Sequence, residues 1–207
     1  MDQLLAFPQP AKSRKLAGLA PKPKRRAKPI RYLTGPQVET LIAVAKKTSR
    51  HPLRDAAMIL VAYRHGFRVA ELLDLTWDRI SFEQAEIFVE RLKGSKSSTQ
   101  PIEGDELREL RKLRRKYPSD RFVFVSERGG PLSVDSFQYL LKRCGKEAGL
   151  PFQAHPHMLR HGCGHHLVNA GVNTRTIQEY LGHVDLRHTE RYTELDARRF
   201  RGLWKRK

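Results

Sequence analysis

The sequence predicts a mainly α-helical domain with one small β-ribbon, a fold of the α+β class. Apolar residues recur at helical spacing along most of the chain, whereas the stretch between residues 80 and 102 consists of short strand-like runs separated by turns. The 207 residues include 39% hydrophobic ones, which is enough for one buried core. We therefore expect one globular domain over residues 32–207, preceded by a tail over residues 1–31.

The tail has a composition that opposes folding. It contains five prolines, nine Lys or Arg and a single Asp, so residues 1–31 alone carry a net charge of +8. Such a segment cannot bury enough apolar surface to offset the entropy of ordering the chain. It is either a basic arm that follows nucleic-acid phosphates through Lys24, Arg25 and Arg26, or a solvated leader.

The folded part is expected to begin with a helix at Thr34. Thr34 is a favourable N-cap, Pro36 suits the first turn, and Gln37 stands at capping-box spacing. Helical periodicity predicts the next two helices over about residues 52–65 and 68–75.

The strand-like runs cover residues 80–82, 85–92 and 99–102 and predict a β-ribbon. Lys93 would stand at the tip of its second strand, and Lys96 in the turn that follows. Residues 122–125 form a short apolar segment. Before and after it, helical patterns predict the remaining elements at about residues 103–116, 133–147, 156–170, 173–181, 187–192 and 196–204.

The net charge of +18 indicates a polyanionic partner. No long apolar run or signal-peptide core is present, so the sequence favours nucleic acid over a membrane. Cys144 and Cys163 form no Cys-x-x-Cys pair, which favours a reducing cytoplasm and two small buried hydrophobic side chains.

The last third of the chain holds three dense motifs: His-Pro-His-Met-Leu-Arg-His at residues 155–161, Tyr-Leu-Gly-His at residues 180–183, and Arg-Tyr at residues 191–192. Earlier come Gly-Phe-Arg-Val-Ala-Glu-Leu at residues 66–72 and Arg-Leu-Lys-Gly at residues 91–94. This ordered series of Arg, Lys, His-x-x-Arg, His and Tyr resembles the tyrosine recombinases of the phage integrase family. The C-terminal motifs are most similar to the small bacterial recombinases that invert fimbrial switches.

These residue types suit phosphodiester exchange without a metal. Tyr192 is the expected nucleophile, because a phenolate ester conserves the phosphate bond for rejoining. Tyr180 is the competitor, but its helical spacing indicates a core position. Arg68 and Arg160 can each bind phosphate oxygens through a paired fork.

The remaining groups would orient side chains or move protons. Glu71 follows Arg68 by one helical turn and either orients it or forms a weak surface ion pair. His157 would accept the tyrosine proton or hydrogen-bond the phosphate, and His183, directly after a Leu-Gly pair that stops the preceding helix, would donate to a phosphate oxygen. The resemblance implies that Lys93 is the general acid. His161 is expected to support the site, and Lys96 and Arg191 to contact DNA.

A metal site is the alternative interpretation of the histidines. His157, His161 and His165 stand four residues apart, with His166 adjacent. The sequence lacks His-Glu-x-x-His, so we expect His161 to cap or pack within the site and His165 and His166 to be solvated. No metal or other cofactor is expected.

The resemblance implies the catalytic-domain fold of DNA breaking-rejoining enzymes. Larger members of the family carry a separate N-terminal core-binding domain, and in its place we expect only the basic tail. It also implies a 3′-phosphotyrosine intermediate and a Holliday junction, formed by a homo-tetramer on double-stranded DNA with paired sites in the bacterial nucleoid. Accessory DNA-bending proteins are expected to assist. Residues 197–207 either dock on a neighbour or cover the protein's own core.

Three other functions remain open. A type IB topoisomerase would relax DNA through Tyr192 without recombinant products. A non-catalytic regulator would bind DNA and form no adduct. An RNA-binding protein is disfavoured, since no aromatic stacking motif is visible. The sequence does not distinguish inversion from integration or excision.

Overall fold

The computed structural model describes residues 32–92, 94–184 and 189. The predictions for residues 1–31, 187–188, 190–192 and 196–204 lie outside these residues, as does Lys93. Within the described part, the fold is mainly helical with one antiparallel sheet, which confirms the predicted class. The elements are α1 (Gly35–Thr48), α2 (Pro52–Arg64), α3 (Val69–Leu73), β1 (Ile80–Ser81), β2 (Glu86–Val89), β3 (Ser98–Pro101), α4 (Gly104–Lys116), α5 (Val134–Glu147), α6 (Pro156–Asn169) and α7 (Thr174–Leu181).

The first helix begins where the capping signals predict. The Thr34 backbone N–H donates to Gln37 Oε1 at 3.0 Å, and Pro36 occupies the first turn of α1. Just before it, Leu33 N–H donates to the Met158 carbonyl at 3.1 Å. A Cβ at Gly162 would collide with the Leu33 carbonyl oxygen, so this glycine lets the start of α1 lie against α6.

The main core is built around α2, which packs against α1, α4 and α6. The fully buried side chains of this core come from all of the helices α1 to α6, and they include Leu41, Ile59, Leu72, Leu110, Leu141 and Leu159. A smaller cluster of Cys163, Val168, Ile177 and Leu181 joins α6 to α7. Cys144 and Cys163 are both free and buried, as predicted. Burial raises the pKa of Cys163 to about 12, so this thiol remains protonated at neutral pH.

The sheet has the order β1-β2-β3. β1 and β2 are shorter than predicted, whereas β3 has the predicted length and begins one residue earlier. Ile87 pairs with both Ile80 and Gln100, which fixes the register of the ribbon. The ladder ends with the Val89–Ser98 pair. Two residues later the Arg91 N–H donates to the Ser97 hydroxyl at 3.0 Å, so a side chain replaces the strand partner.

No helix in the described ranges is long and apolar enough to span a membrane.

Candidate active site

Arg68 lies at the N-cap of α3, directly after a tight turn. Gly66 has φ +56°, and an added Cβ would collide with the Leu181 side chain and come within 3.3 Å of the Cys163 sulfur. Only glycine therefore fits where α2 ends against α7. Arg68 has extended backbone angles at the N-cap of α3, and its side chain is 33% exposed.

Glu71 is the carboxylate that holds this arginine. Its Oε1 accepts from Arg68 Nη1 at 2.6 Å and its Oε2 from the Arg68 backbone N–H at 2.9 Å. Oε2 also accepts from Arg91 Nη1 at 2.8 Å, and Oε1 from the Leu92 N–H at 3.3 Å. Glu71 is only 2% exposed, so the alternative of a weak surface ion pair is wrong.

The two arginines determine the ionisation of Glu71. Burial by itself would raise the pKa of this carboxyl group. The hydrogen bond from the Arg68 backbone and the charge of Arg91 outweigh burial, and the net result is a lowered pKa. The carboxylate therefore stays ionised and keeps both guanidiniums in place at neutral pH.

Arg91 is a central residue that the sequence interpretation missed. Its side chain is fully buried, and besides Glu71 it donates to three backbone carbonyls. These are His65 at 2.8 Å, Gly66 at 3.1 Å and Tyr180 at 2.8 Å. Strand alternation was the available signal, because Ile87, Val89 and Arg91 share one parity and the first two are fully buried.

Arg160 reaches the same turn from α6. It is 5% exposed, and its Nη1 donates to the Gly66 carbonyl while its Nη2 donates to the Leu181 carbonyl at 2.6 Å. Its helix neighbours Met158 and Leu159 are buried. Arg91 and Arg160 therefore converge on one carbonyl oxygen, that of Gly66.

His183 follows the end of α7 through a left-handed glycine, as the Leu-Gly helix stop predicted. Gly182 has φ +66°, and an added Cβ would lie 2.7 Å from the Lys96 carbonyl oxygen and 2.8 Å from Arg91 Cγ. The turn before His183 is thus packed against the ribbon. The His183 backbone N–H donates to Gln178 O at 2.9 Å, and Nδ1 lies 2.9 Å from Thr189 Oγ1.

The other histidines of α6 occupy different environments. His157 is exposed one turn before Arg160, with its ring 6.4 Å from that of His155. Burial, together with the charges of His157 and Arg160, lowers the pKa of His161 to about 4, so its ring is neutral at pH 7. His166 is exposed as expected.

The prediction that His165 is solvated is wrong. Its ring is buried and stacks on Tyr32, with centroids 3.8 Å apart, because the segment before α1 covers this part of α6. The alternative of a metal site also finds no support among the residues that the structure describes, where no group of three His, Cys, Asp or Glu side chains is arranged to hold an ion.

Tyr180 packs against the apolar cluster between α6 and α7, as predicted. Its hydroxyl donates to the Arg64 carbonyl at 3.0 Å, while its own carbonyl accepts from Arg91 and from Gln100. Burial raises the pKa of Tyr180. A tyrosine in this environment supports the fold and is a poor nucleophile.

The structure therefore joins several predicted residues through shared partners. Arg68 and Arg160 are connected by Glu71, Arg91 and the Gly66 carbonyl, and Arg160 is bonded to Leu181, two residues before His183. Lys96 is exposed at the ribbon turn. Six of the predicted site residues lie outside the described part, namely Lys24, Arg25, Arg26, Lys93, Arg191 and Tyr192.

A helical domain with a β-ribbon, in which three arginines and one glutamate meet around the turn at Gly66, agrees with the fold that the resemblance to the tyrosine recombinases implied. The model of the phage integrase family matches residues 31–199. The chain belongs to this family, and it is an enzyme of site-specific DNA recombination.

The named relatives of this chain support its assignment to the family. The type 1 fimbriae regulatory protein FimE of Escherichia coli strain K12 is 41% identical over 182 residues, which cover 85% of this chain and 91% of FimE. The corresponding protein FimB is 39% identical over 180 residues, covering 84% and 90%. Tyrosine recombinase XerC of Alcanivorax borkumensis is 39% identical over 150 residues, covering 70% of this chain and 48% of XerC. These matches favour a recombinase over a DNA-relaxing topoisomerase.

Solved structures share the fold. The crystal structure of XerA recombinase has a TM-score of 0.73 and 25% identity, and the match covers 84% of this chain and 64% of that one. The XerH site-specific recombinase bound to its difH substrate has a TM-score of 0.70 and 23% identity, covering 86% and 55%. The chain therefore spans somewhat less than two thirds of the length of these structures.

Proposed function

We propose that this protein cuts and rejoins DNA at paired sites through a 3′-phosphotyrosine at Tyr192, and that it inverts the segment between them. The observation that carries the chemistry is the imbalance of charge around Gly66. Among the residues that the structure describes, the guanidiniums of Arg68, Arg91 and Arg160 are joined in one network with the carboxylate of Glu71. These four groups together carry a charge of +2 in a largely buried site, which favours a bound phosphate anion.

The two arginines that would bind phosphate are held by the fold before DNA arrives. Glu71 holds Arg68 through two hydrogen bonds, one to its backbone N–H and one to its guanidinium. A third of the Arg68 side-chain surface nevertheless remains exposed. The Gly66 and Leu181 carbonyls fix the plane of the Arg160 guanidinium. Donors that are oriented in advance stabilise the charge of a pentacoordinate transition state without reorganisation.

The proposed chemistry exchanges one ester for another. Tyr192 Oη attacks the phosphorus, and His157 accepts the phenolic proton. The bond between phosphorus and the 5′-oxygen breaks, and Lys93 protonates that oxygen. His183 donates a hydrogen bond to a non-bridging oxygen, and neutral His161 packs beside Arg160.

The freed 5′-hydroxyl of a partner duplex then attacks the phosphotyrosine and releases Tyr192. Because each step replaces one phosphate ester by another, the energy of the bond is conserved and the sequence of steps needs no metal or nucleotide cofactor.

Inversion is proposed from the relatives. FimE and FimB are named as regulators of type 1 fimbriae, and the match covers about nine tenths of their length. We propose a homo-tetramer on two inverted sites in the bacterial nucleoid, assisted by DNA-bending proteins. The tail, with Lys24, Arg25 and Arg26, and the surface residues Lys96 and Arg191 would contact phosphates and make binding steeply dependent on salt.

The test is covalent capture without added crosslinker. Cells that express the protein are lysed under denaturing conditions, and the DNA ends attached to it are sequenced. Adducts at paired inverted repeats that disappear with Tyr192→Phe and with Arg160→Ala, while both variants remain folded, are the expected result. Tyr180→Phe is the matched tyrosine control and should keep the adducts.

Scattered adducts with no recombinant products would indicate a topoisomerase and overturn the proposal. Adducts at directly repeated sites would replace inversion by excision or integration. A folded wild-type protein that binds its sites but forms no adduct even with a DNA-bending protein added would indicate a regulator.

A further inference from the structure

Arg91 connects three elements of the candidate site. It comes from the end of the second ribbon strand, and its guanidinium bonds the turn before α3 through His65 O and Gly66 O. The same side chain bonds Glu71 and, on the other side, the Tyr180 carbonyl at the end of α7. Burial lowers the pKa of Arg91, and the charge of Glu71 opposes this effect.

The backbone next to Arg91 is held as firmly as its side chain. Its N–H donates to Ser97 Oγ, across the ribbon turn, at 3.0 Å. The N–H of the next residue, Leu92, donates to Glu71 Oε1 at 3.3 Å. The following residue in the chain is Lys93, so both residues that precede it are bonded to the turn or to the carboxylate that holds Arg68.

The far side of the ribbon turn is held as well. The Lys96 carbonyl lies so close to Gly182 that a Cβ there would be 2.7 Å from it. The ribbon turn therefore begins at the arginine network and returns to the glycine that precedes His183. Residues 91 and 92 on one side and 96 and 97 on the other limit where the turn between them can go.

Stability alone does not explain a fully buried arginine here. Taking a guanidinium out of water is costly, and apolar replacements of buried ion pairs are often neutral or stabilising. The planar guanidinium of Arg91, in contrast, donates to four acceptors, which belong to the turn before α3, to α3 and to α7. It thereby fixes the relative position of these elements in a way that neither an apolar side chain nor a single ammonium does.

We propose that Arg91 is a positioning residue, which holds the turn that carries Lys93 in register with Arg68 and Arg160. Arg91 itself does not touch the phosphate, since its side chain is fully buried and each of its two terminal nitrogens already donates to two protein acceptors. The proposal rests on the proposed function, in which Lys93 protonates the leaving 5′-oxygen. A displacement of about 1 Å in such a group lowers the rate by about a hundredfold.

The test uses two DNA substrates and single-turnover cleavage. One carries the ordinary 5′-oxygen at the scissile phosphate, and the other carries sulfur at that bridging position. A thiolate leaves without a proton, so the sulfur substrate does not need the general acid. Arg91→Met should cleave the ordinary substrate about a hundredfold more slowly than the wild type and the sulfur substrate within a fewfold of it.

Two reference variants define the pattern. Lys93→Ala should show the same selective recovery, because it lacks the acid itself. Arg68→Ala should be slow on both substrates, because stabilisation of the phosphate is needed whichever group leaves. Gln100→Met is the structural control. Gln100 is buried and also donates to the Tyr180 carbonyl, but its other hydrogen bonds go to His65 and Ser98 rather than to Glu71 or Gly66, and its replacement should have an equal effect on both substrates.

Folding is checked by thermal unfolding, and Arg91→Lys takes the place of Arg91→Met if the latter does not fold. Equal slowing on both substrates, wild-type rates on both, or failure of both variants to fold would each overturn the positioning role. The proposed function fails in a different way, namely if the wild-type protein forms no Tyr192 adduct with either substrate.

Discussion

Glu71 accepts two hydrogen bonds from Arg68, one from its guanidinium at 2.6 Å and one from its backbone N–H at 2.9 Å. The first fixes the side chain, and the second fixes the start of α3. The same carboxylate also binds Arg91, so Arg68 and the ribbon share one buried partner. The site is thus a connected network around the turn at Gly66.

Replacing Glu71 by Gln should therefore affect both stability and cleavage. The amide is almost isosteric, but it leaves two arginines beside an uncharged partner. Breaking a buried charge pair in this way should lower the free energy of unfolding by about 3 kcal/mol. Urea unfolding measures this loss, and covalent capture should show weaker adduct formation. Full stability and full cleavage in Glu71→Gln would contradict the network.

Parts of this site could be predicted from the sequence, because its motifs are contiguous. The contact between Arg68 and Glu71 lies within one helical turn, and Gly182 ends α7 where the Leu-Gly pair indicated. Contacts between distant segments could not be predicted in the same way. The burial of His165 depends on Tyr32, which is 133 positions earlier in the chain, and no local pattern reports that stacking.

Arg91 was missed in the sequence because basic residues are abundant in this chain. With 40 Lys or Arg, each basic residue is by default a surface residue, and the motif drew attention to Lys93 instead. The four acceptors of Arg91 come from residues 65, 66, 71 and 180, which only the folded chain brings together. The alternation of buried residues along the strand indicated that the Arg91 side chain points inward, but it did not indicate which groups the side chain contacts.

Lower pH should destabilise the protein partly through His161. Its pKa is lowered from 6.5 to about 4 by burial and by the charges of His157 and Arg160. Between these values the unfolded chain binds a proton that the folded protein excludes, so stability falls as the pH drops through this window. His161→Gln removes this contribution.

The measurement is urea unfolding of the wild type and His161→Gln at pH 7 and pH 5. The wild type should lose more stability than the variant between the two values. Equal losses in both proteins would show that His161 does not contribute to the pH dependence.

Tyr180→Phe should distinguish a structural tyrosine from a nucleophile. The hydroxyl of Tyr180 donates to the Arg64 carbonyl at 3.0 Å, and its loss should cost about 1 kcal/mol of stability. Adduct formation should persist, because the backbone carbonyl that binds Arg91 is unchanged. Thermal unfolding and covalent capture measure the two effects, and loss of the adduct in a folded Tyr180→Phe protein would transfer the nucleophile role away from Tyr192.

Gly182→Ala should disturb the site through crowding, and Gly171→Ala is its matched control. Both glycines have positive φ, +66° and +81°, so both substitutions should cost about 1 kcal/mol in backbone strain. Around Gly171 no atom of the described residues, apart from its chain neighbours, lies within 4 Å of the added Cβ, whereas at Gly182 the Cβ would be 2.7 Å from the Lys96 carbonyl and 2.8 Å from Arg91 Cγ.

The close contacts of a Cβ at Gly182 predict an effect that the strain of a positive φ alone would not cause. Gly182→Ala should be less stable than Gly171→Ala by about 1 kcal/mol or more, because an overpacked side chain must displace its neighbours. The neighbours here are the Lys96 carbonyl in the ribbon turn and the Arg91 side chain, so the cleavage rate should also fall for Gly182→Ala and stay near that of the wild type for Gly171→Ala. Urea unfolding and single-turnover cleavage test the pair. If both variants behave alike, the close approach between the α7 turn and the ribbon does not constrain the site, and the connection from Arg91 to His183 would have to be abandoned.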